Sequence, residues 1–235
     1  MRKLTTILCL TIAVLLLSAG EGWSADFQKG VTAAASGDYA TALRELEPFA
    51  KQGDARAQSL VGQIYYHGKG VPQDHKIAVN WYRLAAEQGY APSQSNLGWM
   101  YRKGYGVPQN YETAVVWYRR AAEQGYTDAQ MTLGAMYEYG EGVPQNYKTA
   151  VKWYRLAAEQ GSVGAQNNLA KSYYLGTGIP KDFAYAYMWA HIAASLGSKD
   201  ATNGRGIISE EMTPTQIKTA QKLARECVRK KYKGC

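Results

Sequence analysis

The sequence predicts an all-α protein, a solenoid of helix-turn-helix repeats. Three observations carry that reading. First, residues recur on a fixed period of 36: Gly53, Gly89, Gly125, Gly161 and Gly197; Trp81, Trp117, Trp153 and Trp189; Pro72, Pro108, Pro144 and Pro180. A period of this size marks stacked repeats, because one short unit cannot bury its apolar face alone. Second, each period holds two stretches with apolar residues at helical spacing, parted by a Gly- and Pro-containing loop. Third, no window sustains the period-2 alternation of an amphipathic strand.

The elements follow in chain order. Arg2 and Lys3 precede the apolar run Leu4 to Leu17, then come Ser18, Ala19, Gly20 and polar Glu21. This is the order of a secretory signal peptide. The run is fourteen residues, short of the ~20 that span a bilayer. Residues 1–25 are therefore expected to be a signal peptide, cut after Gly20, Ser24 or Ala25, with an uncleaved anchor as the alternative. Cys9 lies inside the apolar run instead of at its end, so lipidation is not expected, and no Arg-Arg pair marks twin-arginine export. The expected destination is the periplasm or beyond, where disulfides persist.

Asp38, Ala42, Ala50, Gln52 and Gly53 match Asp74, Ala78, Ala86, Gln88 and Gly89. Segment 38–53 is thus the second helix of a unit whose first helix lies within 26–35, joined at Ser36-Gly37. The unit lacks the Gly-Gly-Pro loop and has Glu45 in the Trp position, so 26–53 reads as an N-terminal cap.

Four repeats follow, 54–89, 90–125, 126–161 and 162–197. In the third, Leu133 and Tyr137 share one helix face, and Gly134 lets a neighbouring helix approach closely. Gly140-Glu141-Gly142-Val143-Pro144 ends that helix. The second helix, about 146–160, puts Ala150, Trp153, Ala157 and Ala158 on one face, and Gly161 closes it.

After Gly197 the repeat dissolves at Asn203-Gly204-Arg205-Gly206, so a linker is expected. Thr213-Pro214-Thr215-Gln216 is a capping-box start, and a closing helix should run from 214 to about 232. Segment 198–235 thus reads as linker plus basic capping helix. On one continuous helix Cys227 and Cys235 would stand about 12 Å apart, too far for a disulfide. Gly234 permits the chain to turn back and pair them; an intermolecular bridge is the alternative.

The pattern A-Q-x-x-L-G-x-x-Y-x-x-G-x-G-V-P-x-[DN]-[YF]-x-x-A-x-x-W-x-x-x-A-A-x-x-G resembles the Sel-one-like repeat (SLR) family, relatives of the tetratricopeptide repeats. Departures are local: Val61-Gly62 follows Leu60 in the first unit, His75 stands where Tyr111, Tyr147 and Phe183 do, and the fourth has Ala170 for Gly and Ile179 for Val. The resemblance implies a right-handed α/α superhelix whose first helices line a concave face. It also implies an adaptor for other proteins.

Mapped onto this chain, the inner-face phases are Gln63, Trp99, Ala135 and Lys171; Tyr66, Arg102, Glu138 and Tyr174; His67, Lys103, Tyr139 and Leu175. Each set changes character along the chain, whereas packing phases such as Tyr65, Tyr101, Tyr137 and Tyr173 do not. Aromatic and Arg side chains commonly anchor interfaces, so the expected partner is a protein or extended peptide, bound by a monomer.

Enzymatic readings are thin. There is no Gly-x-Ser-x-Gly elbow and no Ser-x-x-Lys. Gly68-Lys69-Gly70 is an inter-helix turn without the Gly-Lys-Ser/Thr of a phosphate loop. His67, His75 and His191 occupy three different phases, so no metal site and no cofactor are expected. His75 reads as packing, and His191, at the phase of Arg83, Arg119 and Arg155, as an exposed residue. Glu87, Glu123 and Glu159 lie four residues after those arginines and are expected to form helix-face ion pairs. Cysteine-rich SLR relatives have been linked to cell-wall or β-lactam hydrolysis, but they carry Cys pairs inside their repeats, and this chain has none there.

The net charge is +8. The four repeats hold thirteen basic and ten acidic residues, while 215–235 holds seven basic and one acidic. The charge therefore describes a C-terminal helix, not the repeats, and nucleic acid is not the expected partner. Lys218, Lys222, Arg225 and Arg229 form a stripe suited to weak contact with an anionic membrane or an acidic protein.

Overall fold

A computed structural model describes residues 25–235. The leader read over 1–25 therefore lies, apart from Ala25, outside the described residues. Among the described residues there are twelve helices and no strand, the architecture of a helical-repeat solenoid. They are α1 (25–36), α2 (Tyr39–Lys51), α3 (Ala55–His67), α4 (His75–Glu87), α5 (Ala91–Lys103), α6 (Tyr111–Glu123), α7 (Thr127–Tyr139), α8 (Tyr147–Ala158), α9 (Val163–Leu175), α10 (Phe183–Ser195), α11 (Lys199–Glu210) and α12 (Pro214–Arg229). None of them is long and apolar enough to cross a membrane.

The starts of the second helices are written in the [DN] position of the repeat. Asp74, Asn110, Asn146 and Asp182 each accept backbone N–H bonds from the first turn of the helix that follows. A side-chain acceptor there satisfies donors that have no intrahelical partner. First helices α7 and α9 stop at Gly140 and Gly176, which take the left-handed conformation with φ 73°.

Among the described residues two compact units are present: residues 25–93 with 105–107, and residues 94–104 with 108–235. In the first, Ala42, Leu43, Leu46, Ala50, Ala57, Val61 and Ile64 form the core between α1, α2 and α3. Gly62 faces Tyr82 so closely that a Cβ would stand 2.9 Å from its ring. Gln58, buried, donates to the Ala50 carbonyl at 3.0 Å and accepts from Gln88 at 2.8 Å.

The second unit repeats this design. Gly98 and Gly134 face Tyr118 and Tyr154, where added Cβ atoms would stand 3.0 and 2.7 Å from the rings. Gln130 donates to the Ala122 carbonyl at 3.0 Å and accepts from Gln160 at 2.7 Å. The buried ring is thus the Tyr that follows each Trp, not the Trp itself. Tyr82, Tyr118 and Tyr154 are at most 3% exposed, while Trp81, Trp117 and Trp153 are half-buried. Trp189 is buried, because α11 and α12 both pack on α10.

The linker expected after 197 is instead largely helical. Ser198 caps α11, and Ala201 and Ile208 are buried. Gly204 and Gly206 each cost a helix interior about 1 kcal/mol relative to Ala; the packing of those two apolar residues offsets it. Thr213 and Gln216 form both halves of the capping box that starts α12. That helix stops at Arg229, three residues before the boundary read from the sequence, and Lys231 and Tyr232 then turn the chain with φ 52° and 65°. The turn brings Cys227 and Cys235 to a Cα separation of 5.6 Å, where they form a disulfide.

Candidate interaction surface

In the first unit the expected partner-binding residues Tyr66 and His67 belong to a ring cluster. Tyr66 lies edge-on to His67 at 4.8 Å and stacks on His75 at 5.3 Å, and His75 stacks on Tyr105 at 4.8 Å. His75 is therefore part of an aromatic stack, as its phase implies. Burial, helped by Lys69, holds the His67 imidazole below its ordinary pKa. Gln63 is exposed one turn before His67.

In the second unit the expected cations are already engaged. Arg102 is half-buried and its Nε donates to Glu141 Oε2 at 2.8 Å. Lys171 Nζ donates to Glu138 Oε1 at 3.3 Å, and Glu138 Oε2 accepts from the Tyr154 hydroxyl at 2.6 Å. Burial, then the Glu138 carboxylate, push the Tyr154 phenol well above its ordinary pKa. Lys103 Nζ sits 4.8 Å over the Trp99 ring. Among the expected residues, Lys171 joins Glu138 and Lys103 joins Trp99, and Arg102 is tied to a loop carboxylate instead. The exposed apolar residues of these phases are Trp99 at 36%, Tyr139 at 63% and Leu175 at 52%.

Two other expectations change. Arg119 and Arg155 do not pair with Glu123 and Glu159. They donate to the hydroxyls of Tyr137 and Tyr173, at 2.7 and 2.9 Å, on the next first helix. The guanidinium groups thus bridge neighbouring helices instead of pairing within their own. His191 is partly buried, not exposed: it stacks on Tyr187 at 5.8 Å, and its Nδ1 meets Arg205 Nη1 at 3.3 Å. Burial first, then Arg205 and Arg225, lower its pKa.

One feature of the surface has no counterpart among the sequence expectations. A pocket of about 280 Å³ opens between α9, α10 and α11, lined by Ala170, Tyr174, Leu175, Ala190, Gly204 and Ile207, with Asn167, Lys171 and Ile208 around them. Its signal was present in the chain. Ala190 interrupts the series Tyr82, Tyr118 and Tyr154, just as Ala170 interrupts Gly62, Gly98 and Gly134. On α12 the stripe Lys218, Lys222, Arg225 and Arg229 is exposed, while Ala220, Ala224 and Cys227 face the core. Among the described residues no group of three His, Cys, Asp or Glu side chains is placed to hold a metal ion.

This geometry agrees with what known proteins show. The Sel1 repeat model matches residues 55–90, 91–126, 127–162 and 163–198. The chain belongs to the Sel1 repeat family. Sel1 repeats form protein-interaction modules, and the family is typically a non-enzymatic scaffold.

Two solved Sel1 structures are similar to it at the level of sequence. A Sel1 repeat protein from Oxalobacter formigenes is 38% identical with a TM-score of 0.70, over 74% of this chain and 72% of that one. A protective antigen of uropathogenic Escherichia coli with an SLR fold is 41% identical with a TM-score of 0.69, over 71% of this chain. This Sel1 protein spans only 36% of that antigen's length. A Sel1 repeat protein from Klebsiella pneumoniae, 22% identical with a TM-score of 0.53 over 80% of this chain and 93% of that one, shares the fold. No curated protein matches the chain.

Proposed function

We propose that this Sel1 protein is exported to the periplasm and holds a protein or peptide partner on the exposed face of its first helices. One observation carries the reading. The packing phase Tyr65, Tyr101, Tyr137 and Tyr173 is held in all four repeats, while the phases expected to meet a partner vary and leave large apolar side chains exposed, Tyr139 and Leu175 most and Trp99 in part. Such residues anchor interfaces when a partner covers them. The signal-like order of residues 1–25 supports export, and the Cys227–Cys235 disulfide suits an oxidising compartment.

Affinity capture from an envelope extract tests the binding claim. Trp99→Ala and Tyr139→Ala should remove the captured partner without lowering the melting temperature. Equal capture by parent and variants would remove the reading. Arg102→Ala is a poor probe, because it also breaks the Glu141 pair. Cell fractionation and the N-terminal sequence of the mature protein test export.

The exposed stripe on α12 favours one additional contact, with anionic lipid or an acidic protein. Vesicle binding that falls with salt and vanishes on deletion of 215–235 would support it.

A further inference from the structure

The third and fourth repeats solve one packing problem in two ways. In the third, the Tyr154 ring lies on Gly134, and its hydroxyl meets Glu138 and the side chain of Asn168. Thirty-six residues on, the four positions are Ala190, Ala170, Tyr174 and Gly204. All four of those residues line the pocket of about 280 Å³. The pocket is therefore the place where the other repeats put a tyrosine ring. Its floor is Ala170, Ala190 and Ile208, each at most 3% exposed, and Ile207 at 53% and Leu175 at 52% form its apolar rim. The volume, about 280 Å³, falls just below the range of whole-ligand pockets, which run from about 300 Å³, and suits a single ring.

Two differences define the occupant further. The carboxylate that accepts the Tyr154 hydroxyl has become Tyr174, so an unsubstituted phenyl ring loses nothing by lacking a hydroxyl. The one charged lining residue, Lys171, is paired with Glu138 at 3.3 Å, so the positive charge left at the mouth is that of Lys181, whose Nζ stands 5.5 Å over the Tyr174 ring. Positive charge at the mouth favours acidic residues beside the ring.

We infer that the α9–α10–α11 pocket receives a phenylalanine side chain from an acidic segment of a partner polypeptide, replacing the ring that Ala190 omits. The inference rests on the scaffold reading only for the source of that ring.

The test uses the full mature chain and three acetylated, amidated tripeptides: Glu-Phe-Glu, Glu-Ala-Glu and Lys-Phe-Lys. Methyl NMR of the Ala170, Ala190, Ile207 and Ile208 signals should show Glu-Phe-Glu binding at least tenfold tighter than either control. The variant Ala170→Gly/Ala190→Tyr restores the residues of the other repeats and should lose that binding at least tenfold, with its helical circular dichroism kept. Ile207→Asp, an exposed rim substitution, should weaken it without any demand on folding.

Equal binding of the Phe and Ala peptides would overturn the inference, as would unchanged binding by a folded filled-pocket variant. A partner captured from envelope equally well by parent and filled variant would overturn it while leaving the scaffold reading intact. Glu-Phe-Glu binding with no partner captured at all would do the reverse.

Discussion

The third and fourth repeats differ at positions that face one another. Repeat three pairs a small residue with a large one, Gly134 under Tyr154; repeat four pairs two small ones, Ala170 and Ala190. Repeat three closes its glutamine relay, with Gln160 donating to Gln130 at 2.7 Å. Repeat four has Leu196 in the donor's place, and the buried Oε1 of Gln166 has no hydrogen-bond partner. Repeat three carries Arg155 on the Tyr173 hydroxyl, whereas repeat four carries the titratable His191 against Tyr187 and Arg205. The repeat therefore specifies volumes and hydrogen bonds jointly. One substitution demands another, and the last repeat keeps the fold with space and polar capacity left over.

Removing the ring from repeat three should have the largest effect. Tyr154→Ala opens a cavity and removes the hydroxyl donor to Glu138, leaving it Lys171, and is expected to cost about 3–5 kcal/mol in denaturant unfolding. Next comes Gly134→Ala, whose Cβ meets the Tyr154 ring at 2.7 Å; overpacking of this kind costs about 1–3 kcal/mol. The double variant reproduces repeat four at these two positions, so it should cost less than the sum of the two, with a coupling of about 1 kcal/mol or more. Strict additivity would break the claim that the two positions compensate.

Leu196→Gln should act in the opposite direction. Given the donor geometry of Gln160, it supplies Gln166 with a partner and should stabilise by about 0.5–1.5 kcal/mol. An unchanged midpoint would mean the fourth relay does not follow the third.

The smallest expected effect is that of pH. Because burial holds His191 below its ordinary value, the unfolded chain takes up the proton more readily. Its neutral form keeps full stability above the unfolded pKa, and stability is lost as pH falls through and below that value. His191→Gln should flatten the acid limb between about pH 7 and pH 5. An identical slope in parent and variant would assign that limb to other groups.

Much of this was legible in the chain. The fold class came from the period taken with the two stretches of helical spacing in each period, since a constant spacing marks stacked repeats and the helical spacing says what they are made of. The caps at Asp74, Asn110, Asn146 and Asp182 follow from local chemistry, which a sequence displays directly. Of the residues expected to meet a partner, Gln63, His67, Trp99, Lys103, Tyr139 and Lys171 are exposed, whereas Tyr66, Arg102, Glu138 and Tyr174 are half-buried, and the engagement of the cations was not readable. Whether Arg102 is free depends on Glu141, thirty-nine residues away. The same holds for α11, where two glycines argue for a linker and the burial of Ala201 and Ile208 overrules them. The pocket's signal lay in two series of residues, yet it has meaning only once Gly134 and Tyr154 are known to touch.

By itself, then, the sequence determined the repeat, its helix boundaries to within a turn, and the placement of charge at the C-terminal end. These rest on local spacing and backbone chemistry, which act over a few residues. The tertiary structure alone decided which ring fills each repeat, which cations are spent on internal carboxylates, and that Cys227 meets Cys235. Each depends on side chains far apart in sequence competing for the same volume or the same hydrogen bond, and that competition is resolved only when the helices pack.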